Sequence, residues 1–229
     1  MIYSKGPEQE SDVLVFGKSE VQITQDIKNG ISRFGGIFRQ PSYPHAYLNS
    51  AKVLLDNAIS NNQLDEFGLP IFYMVRHATE LKLKHLLGLV FEVLRMRDML
   101  EESEESKAEL PSSKQLKRFE GSHEINKLYD DLKCNCKKIG IVVPNFLFDP
   151  VIELIQRYEV VPTWSRYHKS SKGFHVVHEV ELPIVQLVKD LESMFKGVSH
   201  DGDGHADTLE SNLYNKFSHL KFRLDSAEC

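Results

Sequence analysis

The chain reads as mainly α, a helical bundle with a small β-hairpin insertion. Two observations predict it. The longest apolar-rich run, from about Pro70 to Leu100, carries no internal proline or strand-like alternation and suits one long helix. Around it lie several shorter segments whose apolar residues recur at helical spacing, joined by Gly-, Pro- and Asn-marked turns.

Taken in order, residues 1–44 form an irregular N-terminal segment. Asp12 to Phe16 suits a short strand, and Gly30, Gly35, Gly36, Pro41 and Pro44 punctuate what surrounds it. The bundle domain spans 45–198. Its first helix covers about His45 to Asn61, where Tyr47, Leu48, Ala51, Val53, Leu54, Leu55, Ala58 and Ile59 give a helical pattern and Ser42 and Pro44 suit its start. Pro70 opens the long helix at a first-turn position. Residues 101–113 read as an exposed acidic loop or a frayed continuation of the long helix, with five glutamates and one lysine between Glu101 and Glu109. Ser122 caps the next helix, which Gly140 ends. Asp149-Pro150 begins another. Phe174 to Leu182 is valine-rich and β-like, and Pro183 starts a further helix. Residues 199–229 supply a flexible loop, His200 to His205, and a C-terminal docking helix from Leu209 to Phe222.

Composition narrows the class. The 229 residues are 41 % hydrophobic and 27 % charged, an ordinary balance for a water-soluble protein. Charges interrupt the best apolar run, which predicts no membrane span. MIYSKGPEQESDV offers no apolar core of a secretory signal. Three cysteines, an odd number, suit a reducing compartment, so a cytoplasmic location is expected. The net charge of −5 argues against a nonspecific coat for nucleic acid but leaves room for a local basic cleft.

Arg76, Glu80 and Lys84 stand four apart in the long helix and share a face. Buried charges need partners, so this ladder is either an internal ion-pair network or the wall of a wet cleft. Arginine's planar fork suits an RNA phosphate. His77 and His123 are candidate acid–base groups, because histidine titrates near neutral pH; packing or capping is the plainer role. Trp164, Arg166, Tyr167, His168, Lys169 and Lys172 interleave aromatic and basic residues in a turn, which suits base stacking and phosphate contact or a solvated turn equally. Metal readings are poor. Cys134-x-Cys136 lacks a second pair, His175 and His178 point to opposite faces of a strand, and Asp201 to Asp207 lacks the calcium-loop pattern. No metal and no cofactor are expected.

Arg76-His77-x-x-Glu80-Leu-x-Leu-Lys84, then His123-x-Ile125-x-x-Leu128, then Arg166-Tyr167 before Lys172-Gly173, resembles HEPN-type helical proteins of prokaryotic defence and toxin–antitoxin systems. The resemblance spans about residues 45–195. It implies a protein that acts on or binds RNA, as a metal-independent endoribonuclease with Arg76, His77 and His123 catalytic and Glu80, Lys84, Arg166, Tyr167 and Lys172 holding substrate. The sequence departs from the family's pattern, in which a histidine follows the arginine by four to six residues. Here eight residues separate Arg76 from His85, and Phe119 replaces the polar neighbour of Arg118. The alternative is a non-catalytic interaction module: an antitoxin, immunity protein or adaptor binding a protein encoded nearby or a second copy as a homodimer. A nucleotide-sensing domain is a third reading.

Overall fold

The computed structural model describes residues 19–32, 43–100, 119, 121–159, 169–170, 173–174, 177–200 and 207–227. The chain divides into two compact units, Met1–Tyr43 and Pro44–Cys229. The described part is mainly helical.

In the first unit, α1 (Glu20–Lys28) occupies a stretch expected to be irregular. Its ends explain it. Ser19 accepts the Gln22 N–H at 3.2 Å, and Glu20 and Lys28 complement the helix dipole at opposite ends. The Asp12–Phe16 strand expectation lies outside the described residues.

In the second unit, α2 (Tyr43–Ser60) closes on Asn62 in the left-handed region, where Gln63 N–H reaches back to Ala58 O at 2.8 Å. The long helix, α3 (Leu64–Met99), is one continuous element of about 54 Å at 1.5 Å per residue. It starts six residues before the expected Pro70, which lies inside it. Pro70 has no N–H to give the Glu66 carbonyl, but its side chain is exposed and its fixed φ fits the helix.

Around α3 pack α4 (Ile125–Lys138), α6 (Ile184–Val198) and α7 (Leu209–Ala227), and α5 (Asn145–Tyr158) packs on α6 and α4. Two expected starts move. Pro150 lies inside α5, which Pro144 precedes. Ser122 does not cap α4; Glu124 holds that place in extended backbone, and Ser122 Oγ instead accepts the Glu124 N–H at 3.3 Å. Gly140 does end α4. At φ +70° it allows a double-bonded terminus, Gly140 N–H to Lys137 O at 3.1 Å and Ile141 N–H to Cys136 O at 2.9 Å.

One apolar core runs the length of α3. Phe72, Val75, Leu83, Leu86, Leu87 and Leu94 are buried against Leu128 and Leu132 of α4, Phe148 and Ile155 of α5, Leu187 and Met194 of α6, and Leu213 of α7. Lys169–Ser170 pairs antiparallel with Gly173–Phe174, two residues a side. The expected β-like run to Leu182 is not strand over 177–182. Val177 and Val180 are exposed there, so the valines have no apolar face to cover and the propensity goes unused. Among the described residues no helix is long and apolar enough to cross a membrane.

Candidate functional site

The ladder on α3 meets two other parts of the chain. Glu80 Oε2 accepts from Arg76 Nη1 at 2.7 Å, and Glu80 Oε1 accepts from Lys84 Nζ at 2.9 Å. His123, in the turn before α4, places Nδ1 3.0 Å from Glu80 Oε1. Arg76 Nη2 donates to the His123 carbonyl at 2.5 Å, and Arg76 Nε donates to Glu159, just past α5. Thus α3 and the adjoining ends of α4 and α5 converge on one guanidinium.

Both central charges are buried, Arg76 at 3 % exposure and Glu80 at 2 %. Burial alone would push the Glu80 carboxyl up. Hydrogen bonds from Lys84 and Arg76 outweigh it and hold the group below the usual carboxylate range. Two cations and two carboxylates cancel, and all three guanidinium nitrogens of Arg76 are engaged. Three of its five N–H donors are spent and the group is 3 % exposed, so it faces the protein and not a phosphate in solvent. His123 differs. Its side chain is 62 % exposed, and with Nδ1 on a carboxylate its other nitrogen is left to solvent.

Of the residues singled out from the sequence, the structure brings together Arg76, Glu80, Lys84 and His123. His77 turns elsewhere. It stacks on Tyr73 with ring centroids 5.6 Å apart and meets Tyr47 of α2 edge-on at 4.5 Å. Adjacent helix positions diverge by about 100°, so Arg76 and His77 serve different faces. Arg166, Tyr167 and Lys172 lie outside the described residues, as do Trp164 and His168.

A second polar network escaped the sequence reading. Lys82, 1 % exposed, donates to Glu210 Oε2 of α7 at 2.9 Å. His85 Nε2 is 2.7 Å from Glu210 Oε1, and the His200 N–H donates to Glu210 Oε2 at 2.6 Å. His200 Nδ1 lies 2.9 Å from Ser211 Oγ, which accepts from Thr208 Oγ1 at 2.8 Å. Burial pushes the Glu210 carboxyl up, but His85, Lys82 and the His200 N–H together pull it down to about 2. Burial lowers the Lys82 ammonium, and Glu210 offsets part of that. His45 of α2, edge-on to Phe195, is lowered by burial first and then by the nearby Lys82 charge. One signal was available. Val75, Lys82 and Leu86 share a helical stripe, and a lysine on an inward stripe demands a buried partner.

Among the described residues no group of three or more histidine, cysteine or carboxylate side chains could hold a metal ion. Cys136 is buried, which pushes its thiol up to about 12, and Cys134 is exposed. No protein-family model, no curated protein and no solved structure matches the chain.

Proposed function

We propose that the chain is a non-catalytic interaction module of HEPN-like type, an antitoxin, immunity protein or adaptor. One observation carries this reading: Arg76 spends every guanidinium nitrogen on Glu80, Glu159 and the His123 carbonyl. In a ribonuclease of the kind the resemblance implies, that arginine stabilises charge building on phosphate oxygens. A guanidinium at 3 % exposure, each of its nitrogens bonded within the protein and its charge paired with two carboxylates, does not do so without opening that network. The network instead fixes where the starts and ends of α4 and α5 meet α3.

The alternative, metal-independent RNA cleavage, draws support from His123. A carboxylate on Nδ1 and an exposed ring are what a general acid–base histidine needs. The two readings part on RNA itself. Purified protein is incubated with structured and single-stranded RNA in EDTA from about pH 5 to pH 9, the range in which imidazole catalysis operates. The module reading expects intact RNA throughout. It also expects a stable complex on co-expression with products of neighbouring genes, unchanged by His123→Ala. Cleavage that His123→Ala abolishes, with circular dichroism unchanged, overturns the module reading in favour of the enzyme.

A further inference from the structure

A groove of about 950 Å³ lies between the first turns of α3, the end of α5 and the stretch that leads into α6. Apolar and acidic side chains share its surface. Leu64 and Leu69 of α3 and Val180 are exposed there, with Leu182 half-buried beside them. Asp65, Glu179 and Glu181 stand among them, all exposed, and the residues lining the groove include no lysine, arginine or histidine. Among the described residues none forms a hydrogen bond or ion pair with any of these three carboxylates.

Asp65 has a local reason, since a carboxylate in a first turn complements the helix dipole. Glu179 and Glu181 have no such reason, because 177–182 belongs to no helix or strand. Among the described residues the main chain of that stretch makes one hydrogen bond, Leu182 O accepting the Ile184 N–H at 2.7 Å. A valine-bearing stretch with strand propensity thus keeps its backbone donors and acceptors unpaired at the surface. Gly68, in the second turn of α3, also lines the groove. A Cβ there would meet nothing within 4 Å, so packing inside the protein does not call for glycine, which a helix interior disfavours. A bare backbone at that point suits the close approach of another chain.

We infer that this groove binds an extended segment of a partner protein in which lysine or arginine alternates with apolar residues. The segment pairs along 177–182 as an added strand, so that main-chain bonds hold it and alternate side chains select it. Side chains of extended backbone alternate, which sets Glu179 and Glu181 on one side and Val180 and Leu182 on the other. A strand with cations on one side and apolar groups on the other matches both. The two glutamates repel the same stretch of a second copy, so the occupant is a basic partner and not this chain again. The inference rests on the module reading and gives the partner's chemistry.

The test is titration of the full chain into labelled, end-blocked synthetic peptides, read by fluorescence anisotropy at several salt concentrations. The peptides alternate Lys-Val, Glu-Val or Lys-Gly, and a fourth is the Lys-Val peptide with its amides N-methylated. Lys-Val should bind saturably, more weakly as salt rises, and Glu-Val should not bind. Lys-Gly and the N-methylated peptide should bind more weakly, the first for want of apolar cover and the second for want of main-chain donors. Glu179→Lys/Glu181→Lys should cost about tenfold in affinity, the order expected when two exposed ion pairs turn to repulsions. Gly68→Leu leaves the charge unchanged, fills the open space and should also weaken binding. Circular dichroism checks both folds. The proposal is overturned if Lys-Val does not bind by about 1 mM at low salt, where even weak specific ligands register. Equal binding by Lys-Gly or the N-methylated peptide, or unchanged binding by either folded variant, also overturns it. So does a full chain that sediments as a dimer until Glu179→Lys/Glu181→Lys is introduced, which assigns the groove to a second copy. No RNA is present, so failure here leaves the module reading to its own RNA test, and RNA cleavage there would not alter the peptide result.

Discussion

Lys82 of α3 and Glu210 of α7 form an ion pair of 2.9 Å with both side chains beneath the surface, at 1 % and 8 % exposure. The pair ties the last helix to the central one, but its two members are unequally replaceable. Glu210 keeps His85 and the His200 N–H when Lys82 is removed. Lys82 keeps no carboxylate that the structure shows bonded to its ammonium when Glu210 is removed. Glu210→Ala should therefore destabilise by about 3–5 kcal/mol, the range for a buried charge stripped of its partner. Lys82→Met, which retains the apolar stem, should be clearly milder. Urea unfolding of both variants checks the order, and the reverse order would show that Lys82, not Glu210, anchors the network.

Acid should loosen the same ion pair. Glu210 sits at about 2 when folded against an ordinary 4.5. A depressed carboxyl contributes stability that is fully present above the unfolded value and is lost as pH falls through the folded one. The window is thus between about pH 4.5 and pH 2, and the loss is on the order of 3 kcal/mol. Glu80, also depressed, adds to it with the same sign. Thermal melts from pH 7 downward should show Tm falling through that window, and less steeply in Glu210→Gln. A wild-type Tm that stays level to pH 2 would refute the linkage.

The long helix and the Arg76–Glu80–Lys84 ladder were legible because helical spacing is a local property, and three charges on one face of an apolar run stand out. The His123 and Glu159 contacts were not, since they join residues 47 and 83 positions away from Arg76. Lys82–Glu210, 128 positions apart, hid for the same reason, although the inward place of Lys82 announced that some partner existed. His77, named for its titration range and through the resemblance, lies on a different face of α3 from Arg76 and packs on Tyr73 and Tyr47. The valines of 177–182 misled because β propensity is realised only where a face is covered, and both Val177 and Val180 are exposed. Helix α1 went unread, although Ser19 and Glu20 are ordinary start signals and Gly30 an ordinary stop.

Arg76 is bonded through three nitrogens to three acceptors from separate parts of the chain. Arg76→Ala should destabilise by about 3–5 kcal/mol, because it leaves the buried Glu80 with Lys84 and His123 alone and removes the bond to the His123 carbonyl. Arg76→Lys should recover only part of this, since one ammonium lacks the planar fork that spans separated acceptors. Denaturant midpoints rank the two. Full rescue by lysine would mean that charge alone, and not the fork, holds the three segments together.

Gly197, near the end of α6, lies close to Leu147 of α5: a Cβ at that position would fall 2.5 Å from Leu147 Cδ1 and 3.2 Å from Cδ2. The backbone itself raises no objection to a side chain, as the residue is helical and Gly197 is not among the glycines of positive φ. Two effects then oppose one another in Gly197→Ala. Helix propensity favours alanine by up to about 1 kcal/mol. Overpacking disfavours it by about 1–3 kcal/mol unless Leu147 turns away, and Leu147 packs against the core. Overpacking should win, so Gly197→Ala alone should lower the unfolding free energy. In a Leu147→Ala background the obstructing methyls are gone, and the same substitution should raise it. A double-mutant cycle measures this change of sign directly. If Gly197→Ala destabilises equally in both backgrounds, the glycine is needed for something other than the close approach of α5 and α6.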